Sequence, residues 1–346
     1  MYWFAIASLT PAAILLMACV MGGMWAWSAL ICVTVFVILA DRLTLVKPTT
    51  TKSDKARVFA RQLGVILGFV HFTLLLVGVR AIATLDGLSL AQALALTIAL
   101  GVFMGQVSNS NAHELIHASD RWLRRLGIAV YISILFGHHA SAHTKVHHVH
   151  VATPKDPNSA PLGQGFYAFW PRAWIGSFRA GLRAETAARA RMTIRPAIWS
   201  HPYVSYVLGA IIALWLAWVL AGLVGVAVLF MLAGLAQTQL LLADYVQHYG
   251  LCRDVDKNGK PEPAGLGHSW NASQWYSSFM MLNAPRHSDH HMHPTRGFPD
   301  LRLDRGTMPM LPSSLPVMAT VALIPPLWRA IMNPRVARWQ TVATTD

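Results

Sequence analysis

Six apolar stretches dominate this chain, near residues 4–21, 24–40, 63–85, 88–106, 204–220 and 223–245. Each approaches the ~20 residues a helix needs to cross the hydrocarbon core of a bilayer. Backbone amides find no water there, so segments of this length must satisfy their hydrogen bonds internally, as helices. Short links, Gly22-Gly23, Asp86-Gly87 and Ala221-Gly222, join them in pairs and predict three helical hairpins. Composition agrees: 54% of residues are hydrophobic, 12% are charged and mean hydropathy is +0.43. The charged share is about half the ~25% of soluble domains, which excludes a disordered or fibrous chain. The first stretch has no basic leader and no A-x-A site, so it reads as a retained span. The expected fold is an all-α membrane protein.

Charge sets the orientation. Of the 28 Lys and Arg, 27 lie in residues 41–62, 108–203 and 246–346, and none lies at the three hairpin tips. By the positive-inside rule both termini and both long loops are cytoplasmic. The net charge of +13 is then a topology signal, and no aromatic-basic module argues for nucleic acid. Within the loops, residues 126–136 are apolar but too short to span and predict a buried or re-entrant helix. Residues 181–195, rich in Ala and Arg, predict an amphipathic surface helix. Residues 315–332, interrupted by Pro325-Pro326, read as an interfacial segment rather than a seventh span. The three scattered cysteines, Cys19, Cys32 and Cys252, argue against a disulfide framework, a thiolate zinc site and a fused rubredoxin-like domain.

Sixteen histidines are many for so apolar a chain, and nine fall into four clusters. His113-Glu114-Leu115-Ile116-His117 follows the fourth span; His143, His147 and His148 form H-x-x-x-H-H; His248 ends the sixth span; His287, His290 and His291 form H-x-x-H-H. On a helix, positions i and i+4 share a face, so His113 and His117 can address one metal region. All four clusters belong at the cytoplasmic edge of the membrane. Nine imidazoles exceed the four ligands a zinc ion takes, and they suit two irons with positions left open for dioxygen. His138, His139, His150 and His293 lie beside the clusters and are expected to pack or to support ligands. His71, inside the third span, should face the bundle interior. Residues 254–259 open like a calcium loop, but Gly265 stands where the loop needs a bidentate Glu. Asn271-Ala272-Ser273 is a glycosylation triplet without meaning on the cytoplasmic side.

The four clusters, the phrase HTKVHHVHVATPKDP from His143 to Pro157, His268-Ser269-Trp270-Asn271 and the RHSDHH run resemble the membrane-bound non-haem di-iron alkane monooxygenases, within the wider fatty acid desaturase-like superfamily. The resemblance covers essentially the whole chain. It implies His113, His117, His143, His147, His148, His248, His287, His290 and His291 as ligands of two irons. Glu114, Asp244 and Asp289 would orient them. The family's third box usually reads N-Y-x-E-H-Y-G; Asp244 and Gln247 stand here at the Asn and Glu positions, and Gln also occurs in the related xylene monooxygenase hydroxylase subunits.

The implied reaction is oxygen-dependent hydroxylation of the terminal methyl group of a medium-chain alkane, in a bacterial inner membrane. An alkane has no polar handle, so an apolar channel among the first four spans should select it. Trp25, Trp27, Phe36, Phe69 and Phe72 are either its lining or plain bundle packing. The chain carries no flavin or nicotinamide fingerprint, so the resemblance implies rubredoxin, or a ferredoxin, with an NAD(P)H-dependent reductase. The alternatives are a xylene-type aromatic methyl monooxygenase, a fatty acyl desaturase or hydroxylase, and, remotely, an intramembrane zinc protease built on His113-Glu114-x-x-His117.

Overall fold

The computed structural model describes residues 1–43, 53–85, 87–194 and 196–343. Most of the loop between the second and third spans, Asp86 of the second tip and Arg195 of the surface helix fall outside that set. Two apolar helices, α1 (Tyr2–Met21) and α2 (Met24–Arg42), form the first hairpin. Gly22 and Gly23 turn it at φ 60° and 57°, a region open to glycine at little cost. Next come α3 (Asp54–Thr84) and α4 (Leu90–His117). Ser89 starts α4 with a reciprocal capping box, its Oγ accepting from the Gln92 N–H while Gln92 Oε1 accepts from the Ser89 N–H. The Gly23 N–H donates to the Gly87 carbonyl at 3.3 Å, so the two tips touch.

Between α4 and the last long helix lie α5 (Arg121–Ser133), a broken helical run α6 (139–150) and α7 (Phe166–Ala190). Asp120 caps α5 by accepting from the N–H groups of Trp122 and Leu123. The amphipathic helix expected at 181–195 therefore starts some fifteen residues earlier. It buries Phe166, Phe169, Ala173, Ser177, Gly181 and Glu185 on one stripe. The Ala/Arg-rich stretch was its polar end, and the aromatic start lacked a strict helical period.

The last long helix, α8 (Pro202–His248), has 47 residues. As one rod it would reach about 70 Å, more than twice the hydrocarbon core. It is broken at Ala221 (φ −156°, ψ 29°) and Gly222 (φ 60°, ψ −150°). A Cβ on Gly225 would lie 2.3 Å from the Ala217 carbonyl oxygen, an approach that requires the chain to double back there. Among the described residues, five helices, α8 counted as one, are long and apolar enough to cross a membrane.

The remaining elements are three short helices, α9 (Trp275–Met280), α10 (His287–Met292) and α11 (Leu315–Ala322), and the longer α12 (Pro325–Ala343). The segment at 315–332 is thus two helices. Proline starts the second, where its missing N–H is harmless, and Trp328, Met332 and Val336 are fully buried. Gly101 and Gly105, a G-x-x-x-G pair on α4, bring α8 so close that a Cβ on either would lie 2.5 or 2.3 Å from the Cβ of Leu235 or Gln239. That approach sets α4 beside α8, the two helices whose lower ends carry His113, His117 and His248. His71 is buried as expected, its Nε2 2.8 Å from Ser133 Oγ. Of the rings expected to line a channel or pack in the bundle, Trp25, Trp27, Phe36 and Phe69 are 36–64% exposed on the outside of the bundle, and Phe72 lines an apolar pocket between α3, α5 and α8. An apolar outer belt favours large rings as much as a core does, so type alone could not separate the two.

Candidate metal centre

The last turns of α4 supply His113 and His117. A π-helical turn (Met104–Ser108) precedes them, and a second (His143–His147) lies within α6. Such turns bond i to i+5 and often mark functional sites. Here the widened turn lets His143, His147 and His148 flank one region. His248 ends α8, and α10 carries His287, His290 and His291.

All nine rings converge, in two groups. His113, His117, His143, His148 and His290 form one; His147, His248, His287 and His291 form the other. Within each group one ligand nitrogen per residue lies within 4.8 Å of all the others. Each adjacent pair is divided, with His148 and His290 in the first group and His147 and His291 in the second. Consecutive helical residues point roughly 100° apart, so neighbours cannot address one ion.

The donor set fits two metal ions. His148 Nε2 lies 2.9 Å from His143 Nε2 and 3.2 Å from His290 Nε2. His287 Nε2 lies 3.0 Å from the Nε2 atoms of both His248 and His291. Nitrogens about 2.0–2.1 Å from a shared ion and at right angles to one another stand about 3 Å apart. The Nε2 atoms of His113, His117 and His147 are buried and have no hydrogen-bond partner among the described residues. Burial, and then the neighbouring rings, hold His143, His148, His287, His290 and His291 well below the ordinary imidazole range. Neutral rings are the metal-binding form.

His147 differs. Its Nδ1–H donates to Asp156 Oδ2 at 2.9 Å, both groups buried. Burial alone would lower its pKa, but Asp156 and then Asp244 outweigh burial and raise it. Asp156 also accepts from Ser159 Oγ (2.7 Å) and the Asn158 N–H (3.0 Å), and it lies below the usual carboxylate range despite its burial. Carboxylate, imidazole and inward-facing Nε2 make the arrangement that fixes tautomer and raises basicity in metal sites.

The three acidic residues expected to orient ligands do something else. Glu114 Oε2 accepts from the Phe298 N–H (3.0 Å), Asp244 Oδ2 from the Asn158 side chain (2.6 Å), and Asp289 from Arg296 and the Arg302 N–H. Among the described residues none accepts a hydrogen bond from the nine rings. The zinc-protease reading loses its geometry too, because His113 and His117 join three more imidazoles and Glu114 is engaged by backbone.

Two supports were not read from the sequence. Asp156 lay within the V-A-T-P-x-D-P phrase and was its only carboxylate. Asn271, read from the sequence only as part of a glycosylation triplet without meaning on the cytoplasmic side, is fully buried. Its side-chain amide donates to Ser269 O, Ser288 Oγ and Pro309 O, and its Oδ1 accepts from the Ser288 N–H. It thereby ties α10 to the loop that follows α8. Asn271→Ala is expected to cost about 2–4 kcal/mol from several lost buried bonds, read as a lower unfolding temperature in detergent; an unchanged temperature would refute the tie. His138 packs against Trp174 and Phe178, and His139 stacks 5.2 Å from His143.

A cavity lies between α4, α8 and α11 and reaches His113, His143 and His287, rings of both groups. A second pocket, lined by Arg61, Glu114, His117 and Arg296, meets the first group from another side.

Comparisons with known proteins match this arrangement. The fatty acid desaturase family model matches residues 88–320. Alkane 1-monooxygenase from Pseudomonas putida is 33% identical over 83% of the chain and 71% of its own length. Alkane 1-monooxygenase from Ectopseudomonas oleovorans is 34% identical over the same shares. The xylene/toluene monooxygenase hydroxylase component of Pseudomonas putida is 29% identical over 66% of the chain and 60% of its own length. With its apolar helices the chain is a membrane protein and an oxidoreductase. It belongs to the fatty acid desaturase family, in the branch of the non-haem di-iron alkane 1-monooxygenases.

Proposed function

We propose that this chain hydroxylates the terminal methyl group of medium-chain alkanes with dioxygen, at two irons held by the two histidine groups. The observation that carries the reading is the cavity that ends on rings of both groups. In the proposed arrangement one domain crosses a bacterial inner membrane six times, the break at Ala221-Gly222 making the third hairpin, with both termini and the histidine regions 108–203 and 246–346 cytoplasmic. One iron takes His113, His117, His143, His148 and His290; the other takes His147, His248, His287 and His291. Bound iron supplies dioxygen activation and cleavage of the C–H bond. The protein holds rings of both groups neutral, and Asp156 orients His147. Leu240, Ala243, Met281, Ala284 and Leu315 line the cavity with apolar surface that seats a hydrocarbon and excludes water.

Electrons come from a rubredoxin-type carrier, or a ferredoxin, and its NAD(P)H-dependent reductase. Exposed Lys155 and Arg302 near the histidine regions favour an acidic carrier. Gln247 in the cavity wall supports a second reading, oxidation of an aromatic methyl group, as the name of the xylene/toluene relative suggests.

The test is expression with a rubredoxin and its reductase in cells unable to oxidise hydrocarbons, fed n-alkanes, xylene and a fatty acid under labelled dioxygen. Labelled 1-alkanols are expected. Labelled methylbenzyl alcohol alone would move the chain to the aromatic reading. An unlabelled olefinic acid as sole product would overturn oxygen insertion.

A further inference from the structure

The cavity wall is more polar than an alkane requires. Besides its apolar residues it presents Gln106, Asn109, Gln239, Asp244 and Gln247. Three of these are engaged within the protein. Asn109 Oδ1 accepts from the Tyr131 hydroxyl (3.0 Å), Asp244 from the Asn158 side chain (2.6 Å), and Gln247 Nε2 donates to the Ala284 carbonyl (3.2 Å). Gln106 and Gln239 are not so provided. Gln106 Nε2 reaches Gln239 Oε1 only at 3.4 Å, and Gln106 Oε1 is buried with no partner among the described residues. A buried amide oxygen without a donor is costly, and an alkane cannot supply one.

The position of the pair is informative. Gln106 lies seven residues before His113 on α4, and Gln239 nine before His248 on α8. At 1.5 Å per residue the backbone at Gln106 and Gln239 stands about 10–14 Å along the helices from the backbone at His113 and His248. That distance accommodates an extended chain of about eight carbons between a polar group at the amides and a methyl group at the histidines. The close approach at Gly105, where any Cβ would meet Gln239, keeps the amides together.

Resting on the oxygenase reading above, we propose that the site takes medium-chain primary alcohols methyl end first and hydroxylates the far methyl to give α,ω-diols. The hydroxyl donates to Gln106 Oε1 and accepts from an amide N–H of the same pair. At the other end a methyl C–H bond breaks and a C–OH bond forms with one atom of dioxygen. The second atom leaves as water, with two electrons from the iron–sulfur donor and two protons from solvent. An ester or ether, lacking the donor, leaves Gln106 Oε1 unmet.

Two arms test this. In detergent, binding of 1-nonanol is compared with 1-methoxyoctane and decane through the shift in unfolding temperature. The alcohol is expected to bind about tenfold tighter than the ether, and Gln106→Leu to erase the difference. Equal binding, or a preference that survives Gln106→Leu, overturns the assignment. In reconstituted membranes, labelled 1,9-nonanediol is expected from 1-nonanol under labelled dioxygen. Labelled 1-nonanol from nonane with no diol from 1-nonanol overturns this inference alone. No labelled product from either substrate, with the binding difference intact, overturns the oxygenase reading beneath it.

Discussion

A His287→Ala chain is expected to lose hydroxylation by about a hundredfold or more and to retain roughly one iron. His287 Nε2 is the hub of the four-histidine group, 3.0 Å from both His248 Nε2 and His291 Nε2. Without it three rings remain around that ion, and the cavity loses one of the imidazoles that close it. Loss from the five-histidine group should be milder for metal retention, because four rings survive. His113→Ala is therefore expected to hold more iron than His287→Ala, although its activity also falls. His293→Ala, an exposed ring beside the cluster, serves as the control and should keep both. Iron per chain by mass spectrometry reads the difference; equal losses in all three variants would dissolve the division into five and four.

Replacement of Asp156 should produce the second large effect. Its carboxylate fixes His147 through Nδ1 and sits among buried donors, so its removal acts on an adjacent ligand and on the fold. Asp156→Asn keeps an acceptor but removes the charge, and about a 10–100-fold weaker hold on iron is expected. Asp156→Ala also strands the Asn158 N–H and the Ser159 hydroxyl, and should cost stability as well. A merely structural role would lower the unfolding temperature of the Asn variant without changing the rate at which a chelator strips iron. Glu114→Gln provides the contrast, since that side chain meets the Phe298 N–H rather than a ring. Its chelation rate should stay near that of the parent; faster stripping in Glu114→Gln than in Asp156→Asn would reverse the assignment.

The hairpins and the histidines could be read from the chain because both rest on local rules. Gly22-Gly23 and Ala221-Gly222 mark turns by conformational freedom, and apolar length marks helices. The nine histidines announce themselves by number and spacing. What misled was adjacency. Glu114 beside His113, and Asp289 between His287 and His290, looked like natural supports, yet on a helix neighbours point to different faces. The supporting carboxylate comes instead from Asp156, nine residues after His147 and across a turn. That turn, in which the Asp156 N–H donates to the Thr153 carbonyl, is marked by Pro154 at its second position, a signal that locates the bend but not the ring its carboxylate serves. The same helical rule, applied to His147-His148 and His290-His291, would have divided the rings before any coordinates. The cavity was out of reach, because its wall joins residues far apart in the chain on α4, α8 and α11, and of these only the approach of α4 to α8 is marked, by the small residues Gly101 and Gly105.

The central claim, two irons in two histidine groups, is tested most directly by counting metal in the purified parent chain. Metal content per chain would be measured after expression in iron-replete medium, with zinc, copper and manganese determined in the same sample. Two irons per chain, falling toward one in His287→Ala, is the result this account predicts. A single ion, or zinc in place of iron at full occupancy, would contradict it.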